Sequence, residues 1–286
     1  MYRPWGASLE PLSFSGCSGD VTLLRWIGKT LNKAFSMKMM WAVAGLLMAG
    51  WVQAAELQSG SSGTAHPLTD LPLKYLAQAP KNTQNEPLVI FLHGYGSNEA
   101  DLFGIKDQLP ADYTYLSAQA PTAMGDDAYQ WFRKKPGGGD YDGVTADLAS
   151  SSQRIEAFVA AAAEKYHTPA GKVILVGFSQ GAIMSYEVAL RHPQAVGAIA
   201  VLSGSLLPVL HAELKPSAGL SRLPVFIGHG TDDPQLPVKD ATQAYTILQG
   251  LNVRPQLHIY PGMVHTISEA EIADLKAWMA SALKGT

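Results

Sequence analysis

The feature that most restricts this chain is a set of short, almost uninterrupted apolar runs. Leu88-Val89-Ile90-Phe91-Leu92 and Val173-Ile174-Leu175-Val176 contain no polar residue at all. Successive side chains of a strand point to opposite faces, so such runs need apolar cover on both sides. Six runs of this type occur, at 87–92, 113–118, 172–177, 196–202, 224–228 and 255–260, and 71–77 offers a further, antiparallel edge strand. Amphipathic segments lie between them. Over 146–166, Leu148, Ile155, Phe158, Val159 and Ala162 recur at three- and four-residue spacing. A helix is also expected over 180–192. The last helix opens on Ser268-Glu269-Ala270-Glu271, the pattern of a capping box, and aligns Ile272, Leu275, Trp278 and Met279. This alternation predicts an α/β fold with a mostly parallel, doubly wound sheet. Only residues 203–223 separate two of the later strands, too few for a large cap domain.

The residues ahead of this pattern read as an address. The stretch from Met39 to Ala55 carries no charge, follows Met37 and Lys38, and has small residues around Val52-Gln53-Ala54. A basic start, a short apolar centre and a small-residue cleavage site predict a signal peptide over 37–54, removed after Ala54. The centre is short for spanning a hydrocarbon layer of about 30 Å, which disfavours an uncleaved anchor. Residues 1–36 read as an over-extended N-terminus and 55–70 as a flexible Ser/Gly/Thr-rich lead-in, leaving 71–286 as the folded domain. A periplasmic or secreted protein is expected.

Charge and cysteine content narrow the possible functions. Of 21 Lys/Arg and 24 Asp/Glu in the chain, residues 1–54 hold 5 and 2, leaving 16 and 22, a net −6. With no basic stripe, nucleic-acid binding lacks electrostatic support. The single cysteine, Cys17, lies in the removed part, so folding after export requires no disulfide. No Cys/His cluster has zinc spacing.

Chemistry is carried by Gly177-Phe178-Ser179-Gln180-Gly181, which joins the strand over 172–177 to the helix over 180–192. A sharp strand-to-helix turn needs small residues two positions either side of the serine, because a Cβ there would meet neighbouring backbone. Such a turn presents the Ser179 hydroxyl at the C-terminal edge of the sheet. His265, between the last strand and the last helix, is the candidate base. Asp232 and Asp233, after the strand over 224–228, are candidates to orient its imidazole, and spacing alone does not choose between them. The order Ser, Asp, His is that of α/β-hydrolases. The glycines of His93-Gly94-Tyr95-Gly96 follow the strand over 87–92, so the backbone amides of Tyr95 and Gln180 are candidate oxyanion donors.

With these residues in place the chain resembles the phospholipase/carboxylesterase family, which includes acyl-protein thioesterases and small bacterial carboxylesterases. The likeness rests on Leu92-His93-Gly94-Tyr95-Gly96-Ser97-Asn98-Glu99-Ala100-Asp101-Leu102, Ala120-Pro121, Trp131-Phe132, Gly177–Gly181, His229–Pro237 and the loop carrying His265. The resemblance implies an α/β-hydrolase fold and a Ser179, Asp233, His265 set, with Asp233 rather than Asp232 as the acid. It also implies that Trp131 and Phe132 lie near the acyl pocket, where ordinary core aromatics are the other reading. A small-molecule ester substrate follows, with no metal or organic cofactor. The expected activity is a serine carboxylesterase acting on short- to medium-chain esters. Thioesterase and lysophospholipase activities share the machinery, and a non-catalytic binding protein would normally have lost part of it. The site is expected to open past the Gly-rich segment 136–143, whose Gly137-Gly138-Gly139 run, taken alone, reads rather as a flexible turn.

Overall fold

The unbroken apolar runs form the interior of a seven-stranded sheet. The computed structural model describes residues 66–137 and 143–283. The expected signal peptide, the residues before it and most of the lead-in lie outside the described residues. The strands are β1 (Tyr75–Gln78), β2 (Leu88–Leu92), β3 (Thr114–Ala118), β4 (Thr122–Gly125), β5 (Ala128–Gln130), β6 (Val173–Phe178), β7 (Ala198–Leu202), β8 (Val225–Gly230) and β9 (Gln256–Tyr260). The helices are α1 (Thr145–Lys165), α2 (Gln180–Arg191), α3 (Pro208–His211), α4 (Val238–Gly250) and α5 (Glu269–Ala282). The sheet order is β1-β3-β2-β6-β7-β8-β9. β1 runs antiparallel to β3 at one edge, and the remaining pairings are parallel.

The period-two geometry accounts for the continuous hydrophobicity. Leu88, Ile90, Leu92, Val173, Leu175, Ile199, Val201, Val225 and Ile227 pack in one core with α1, α2 and α4. The intervening Val89, Phe91, Ile174, Val176, Ala198, Ala200 and Phe226 pack on the other face with α5 and the 3₁₀ segment Phe103–Gln108. Each strand residue is therefore covered on its own side, and each apolar side chain so buried contributes about 1.5–3 kcal/mol. From Gln180 to Leu190, α2 is buried on every face.

One boundary and one hairpin differ from the sequence reading. The fold begins before residue 71: Leu68 exchanges backbone hydrogen bonds with Tyr75 at 2.7 and 3.0 Å, and Asp70 pairs with Lys165 at 2.7 Å. The hairpin β4–β5 was not anticipated, because its first strand is fully exposed and carries no alternation. Between β7 and β8 there is only the one-turn α3 and a short 3₁₀ turn, Leu220–Arg222, so no cap domain intervenes. Among the described residues no helix is long and apolar enough to cross a membrane.

Half of the expected capping box forms. Ser268 Oγ accepts the Glu271 amide proton at 3.2 Å. The Glu271 carboxyl, in contrast, turns inward, fully buried, and neither oxygen has a hydrogen-bond partner among the described residues. A Cβ on Gly228 of β8 would lie 2.1 Å from Glu271 Oε1, so the glycine makes room for it. Burial pushes this carboxyl from 4.5 up to about 8. Between those values the unfolded chain has released a proton that the folded chain retains, so stability falls as pH rises. The slope reaches about 1.4 kcal/mol per pH unit. Urea unfolding midpoints from pH 5 to 8 are expected to fall more steeply for the wild type than for Glu271→Gln, and parallel curves would contradict this assignment.

Candidate active site

The parallel strands place their C-terminal ends along one edge, where the loops leaving β2, β8 and β9 deliver Tyr95, Asp233 and His265 and the end of β6 delivers Ser179. At this edge β6 turns into α2 without an intervening loop, and the turn is strained. Ser179 sits at φ 53° and ψ −116°, a region that non-glycine residues rarely occupy. Its glycine neighbours are required by close approach. A Cβ on Gly177 would lie 2.3 Å from the Gly181 carbonyl oxygen, and one on Gly181 would lie 2.0 Å from the Leu92 oxygen. No side chain fits at either place.

Three side chains scattered along the chain form one line of hydrogen bonds. Ser179 Oγ lies 2.8 Å from His265 Nε2, and His265 Nδ1 lies 2.7 Å from Asp233 Oδ2. With the carboxylate accepting, Nδ1 carries the proton and Nε2 is left to accept from the hydroxyl. The other carboxylate oxygen, Asp233 Oδ1, accepts the amides of Gln235 and Leu236, each at 2.9 Å. Burial opposes the charge on Asp233, but the Leu236 amide, the imidazole and the Gln235 amide outweigh it and hold the carboxyl below its ordinary range. Asp232 turns away, exposed, and accepts from its neighbour Thr231 Oγ1 at 2.7 Å. The choice that spacing left open therefore falls on Asp233.

The loops carrying the acid and the imidazole are fastened to each other. Asp232 N–H donates to the Met263 carbonyl at 3.1 Å, and Gly262 N–H donates to Thr231 Oγ1 at 2.8 Å. A Cβ on Gly230 would lie 2.0 Å from the Met263 oxygen, so the end of β8 must be glycine for the His265 loop to approach.

A cavity of about 410 Å³ opens over Ser179, with Gly94, Tyr95, Gln180 and His265 in its wall. Phe132 and Phe178 line its apolar part, while Asp101, Lys134 and Gln235 line its polar part. Tyr95, in the cavity wall, is 48% exposed, consistent with an open mouth. Among the described residues, no backbone acceptor takes the amide protons of Tyr95 or Gln180. Most of the segment 136–143, expected beside the entrance, lies outside the described residues. Nor do the described residues include three His, Cys, Asp or Glu side chains grouped to hold a metal ion.

Residues 74–283 match the family profile described as Phospholipase/Carboxylesterase. The chain belongs to that family. Acyl-protein thioesterase 1 of Cryptococcus neoformans is 28% identical over 241 residues, covering 74% of this chain and 98% of the relative. Among solved structures, esterase PE8 is 30% identical with a TM-score of 0.61, covering 72% of this chain and 97% of its own. The carboxylesterase of Bacillus cereus shares the fold at 21% identity, with a TM-score of 0.64 and coverage of 73% and 94%. This phospholipase/carboxylesterase-family chain is accordingly an α/β-hydrolase and a carboxylic ester hydrolase.

Within this family member, the two aromatic residues expected at the acyl pocket separate. Phe132 lines the cavity, but Trp131 does not. The chain bends at both residues after β5 ends at Gln130; both are buried in the same core, and only Phe132 also reaches the cavity wall. The Trp131 indole N–H donates to the His93 carbonyl at 2.9 Å, the placement of the core-aromatic alternative. Two further groups escaped the sequence reading. His229, fully buried, has Nε2 2.9 Å from the Leu236 carbonyl and 3.4 Å from Asp233 Oδ2, packing behind the acid. The Gln180 side chain also points inward, to the backbone of Trp131 and Phe132. The only sequence trace of either was its place in a motif, which does not say where a side chain turns.

Proposed function

We infer that this family member is a serine carboxylesterase that hydrolyses short- to medium-chain carboxylic esters through an acyl-enzyme. The observation that carries the reading is the Ser179–His265–Asp233 hydrogen-bond line beneath an open cavity. In the first half-reaction Ser179 Oγ attacks the ester carbonyl carbon while its proton passes to His265 Nε2. The carbonyl electron pair moves onto oxygen, where the Tyr95 and Gln180 amides stabilise it, each by about 3 kcal/mol. Collapse of the intermediate breaks the bond to the leaving alkoxide, which takes the proton from His265. Water then repeats the sequence on the acyl-enzyme and releases the acid. The Asp233 carboxylate stabilises the imidazolium formed in each half-reaction.

The short-chain preference rests on the cavity's size and on its wall, where Phe132 and Phe178 give way to Asp101, Lys134 and Gln235. A long alkyl chain would have to pass those polar groups or extend into solvent. The residues over 37–54 support export, and hence a substrate met outside the cytoplasm. A thioesterase reading is favoured by the names of relatives such as the Cryptococcus acyl-protein thioesterase 1. A p-nitrophenyl ester series compared with acyl-CoA and lysophospholipid tests the substrate class. The expected kcat/KM peaks between C2 and C8 esters, at least tenfold above C16 and both lipid-type substrates; a maximum on acyl-CoA or lysophospholipid would overturn it.

A further inference from the structure

The two amides assigned to the oxyanion come from segments 85 positions apart, Tyr95 on the loop after β2 and Gln180 at the start of α2. A tetrahedral oxyanion is stabilised by both only if their separation is held to a few tenths of an ångström. A buried chain of hydrogen bonds joins the two segments. Gln180 Oε1 accepts the Trp131 amide proton and Gln180 Nε2 donates to the Phe132 carbonyl, both at 2.7 Å. From the same Trp131, the indole N–H donates to the His93 carbonyl at 2.9 Å, two residues before Tyr95. Ser151 Oγ donates to the Trp131 carbonyl, which fixes the middle of the chain to α1.

His93 is itself held in one orientation. Its Nε2 accepts the Ala120 amide proton at 3.0 Å, so Nδ1 carries the proton and donates to the Gly94 carbonyl at 2.7 Å. Burial lowers the affinity of this imidazole for a second proton, consistent with that neutral form. Gln180, Trp131, His93 and Ser151 are all buried, with solvent exposures of 2%, 0%, 0% and 2%. None of these bonds is exposed to competition from water, and each constrains direction as well as distance.

We propose that the Gln180 side chain and the Trp131 indole are positioning residues that set the spacing of the two oxyanion donors. The proposal rests on the esterase reading above. Neither group touches substrate: Gln180 stabilises the oxyanion through its backbone amide, and its side chain points the other way. The pair Trp131-Phe132 then has a divided role, one residue bracing the oxyanion loop and the other lining the cavity.

The test uses Trp131→Phe, which retains a buried ring without the N–H, and Gln180→Met, which retains length without either polar atom. Steady-state kinetics on p-nitrophenyl butyrate are paired with inhibition by a butyl trifluoromethyl ketone and by the matching methyl ketone. On the fluorinated ketone Ser179 Oγ adds to the carbonyl carbon, its proton passes to His265, and the new oxyanion faces the two amides. Each variant is expected to lower kcat about tenfold or more with KM changed less than twofold. The fluorinated ketone should weaken by the same factor and the methyl ketone should not. Unchanged kcat in both variants, a loss carried by KM, or equal weakening of both ketones would overturn the positioning role. Ser179→Ala separates the two levels. Turnover that survives that substitution would overturn the esterase reading and the positioning role together. Turnover lost there but intact in Trp131→Phe and Gln180→Met would overturn the positioning role alone.

Discussion

Replacing Ser179 by alanine is expected to lower kcat on p-nitrophenyl butyrate by about six orders of magnitude, close to the background rate. The substitution removes one atom, Oγ, whose recorded partner is His265 Nε2 at 2.8 Å. Alanine carries the same Cβ, so the strained φ of 53° at the turn is neither relieved nor worsened. Thermal unfolding should therefore move little, and the loss should appear in kcat with KM nearly constant. A variant that retains even a hundredth of wild-type turnover would show that the hydroxyl is not the nucleophile.

Asp233→Asn is expected to lower kcat by about 10⁴, the effect of trapping the wrong imidazole tautomer. The mechanism can be traced through individual atoms. Oδ1 accepts two backbone amides, so the oxygen of an asparagine must take that position and its NH₂ must face His265. Nδ1 would then have to accept, the ring proton would move to Nε2, and no lone pair would remain to take the proton from Ser179. Asp232→Asn, beside it, should change kcat less than twofold, because its carboxylate is engaged with Thr231 on the exposed side of the loop. Parallel kinetics on the two variants decide the assignment, and the opposite ranking would transfer the acid to Asp232. Because the Asp233 carboxyl is held below its ordinary range, its contribution to stability is present at neutral pH and is lost only as acid titrates it.

The sheet was legible from the sequence because burial on both faces leaves a local mark. The runs at 88–92 and 173–176 read as strands covered on both faces, and each begins and ends within two residues of its expected limits. Ser179 was legible for a related reason, since the glycines beside it answer to contacts of 2.3 and 2.0 Å that no other residue tolerates. What could not be read was set by direction rather than by residue type. Whether Asp232 or Asp233 faces the imidazole depends on one backbone turn that spacing does not record, and there only the family resemblance chose Asp233; whether Trp131 faces cavity or core depends on the bend that follows β5. The β4–β5 hairpin left no pattern because Thr122–Gly125 is exposed throughout. It is held by pairing with the loop after β2, through Gly96 and Ser97 on Tyr129. Glu271 was legible as half of a cap. Its burial against Gly228 depends on a strand some forty positions earlier, a distance over which no sequence pattern operates.

These placements describe a site assembled from loops that are each tied to a second loop. The Asp233 loop is bonded to the His265 loop, the Ser179 turn is seated against the carbonyls of Leu92 and His93, and Trp131 connects α2 to the loop carrying Tyr95. Such mutual fastening limits the reorganisation needed when charge develops on the substrate oxygen, which is where enzymes of this chemistry gain most of their rate.

The most direct measurement is the site of covalent labelling by a fluorophosphonate, read by peptide mapping of the intact protein. The activated hydroxyl attacks phosphorus and expels fluoride, so the adduct marks the nucleophile itself. Stoichiometric label on Ser179, absent in Ser179→Ala and at least a hundredfold slower to form in His265→Ala, is the predicted result. Label on another residue, or equal labelling of the wild type and Ser179→Ala, would contradict the account.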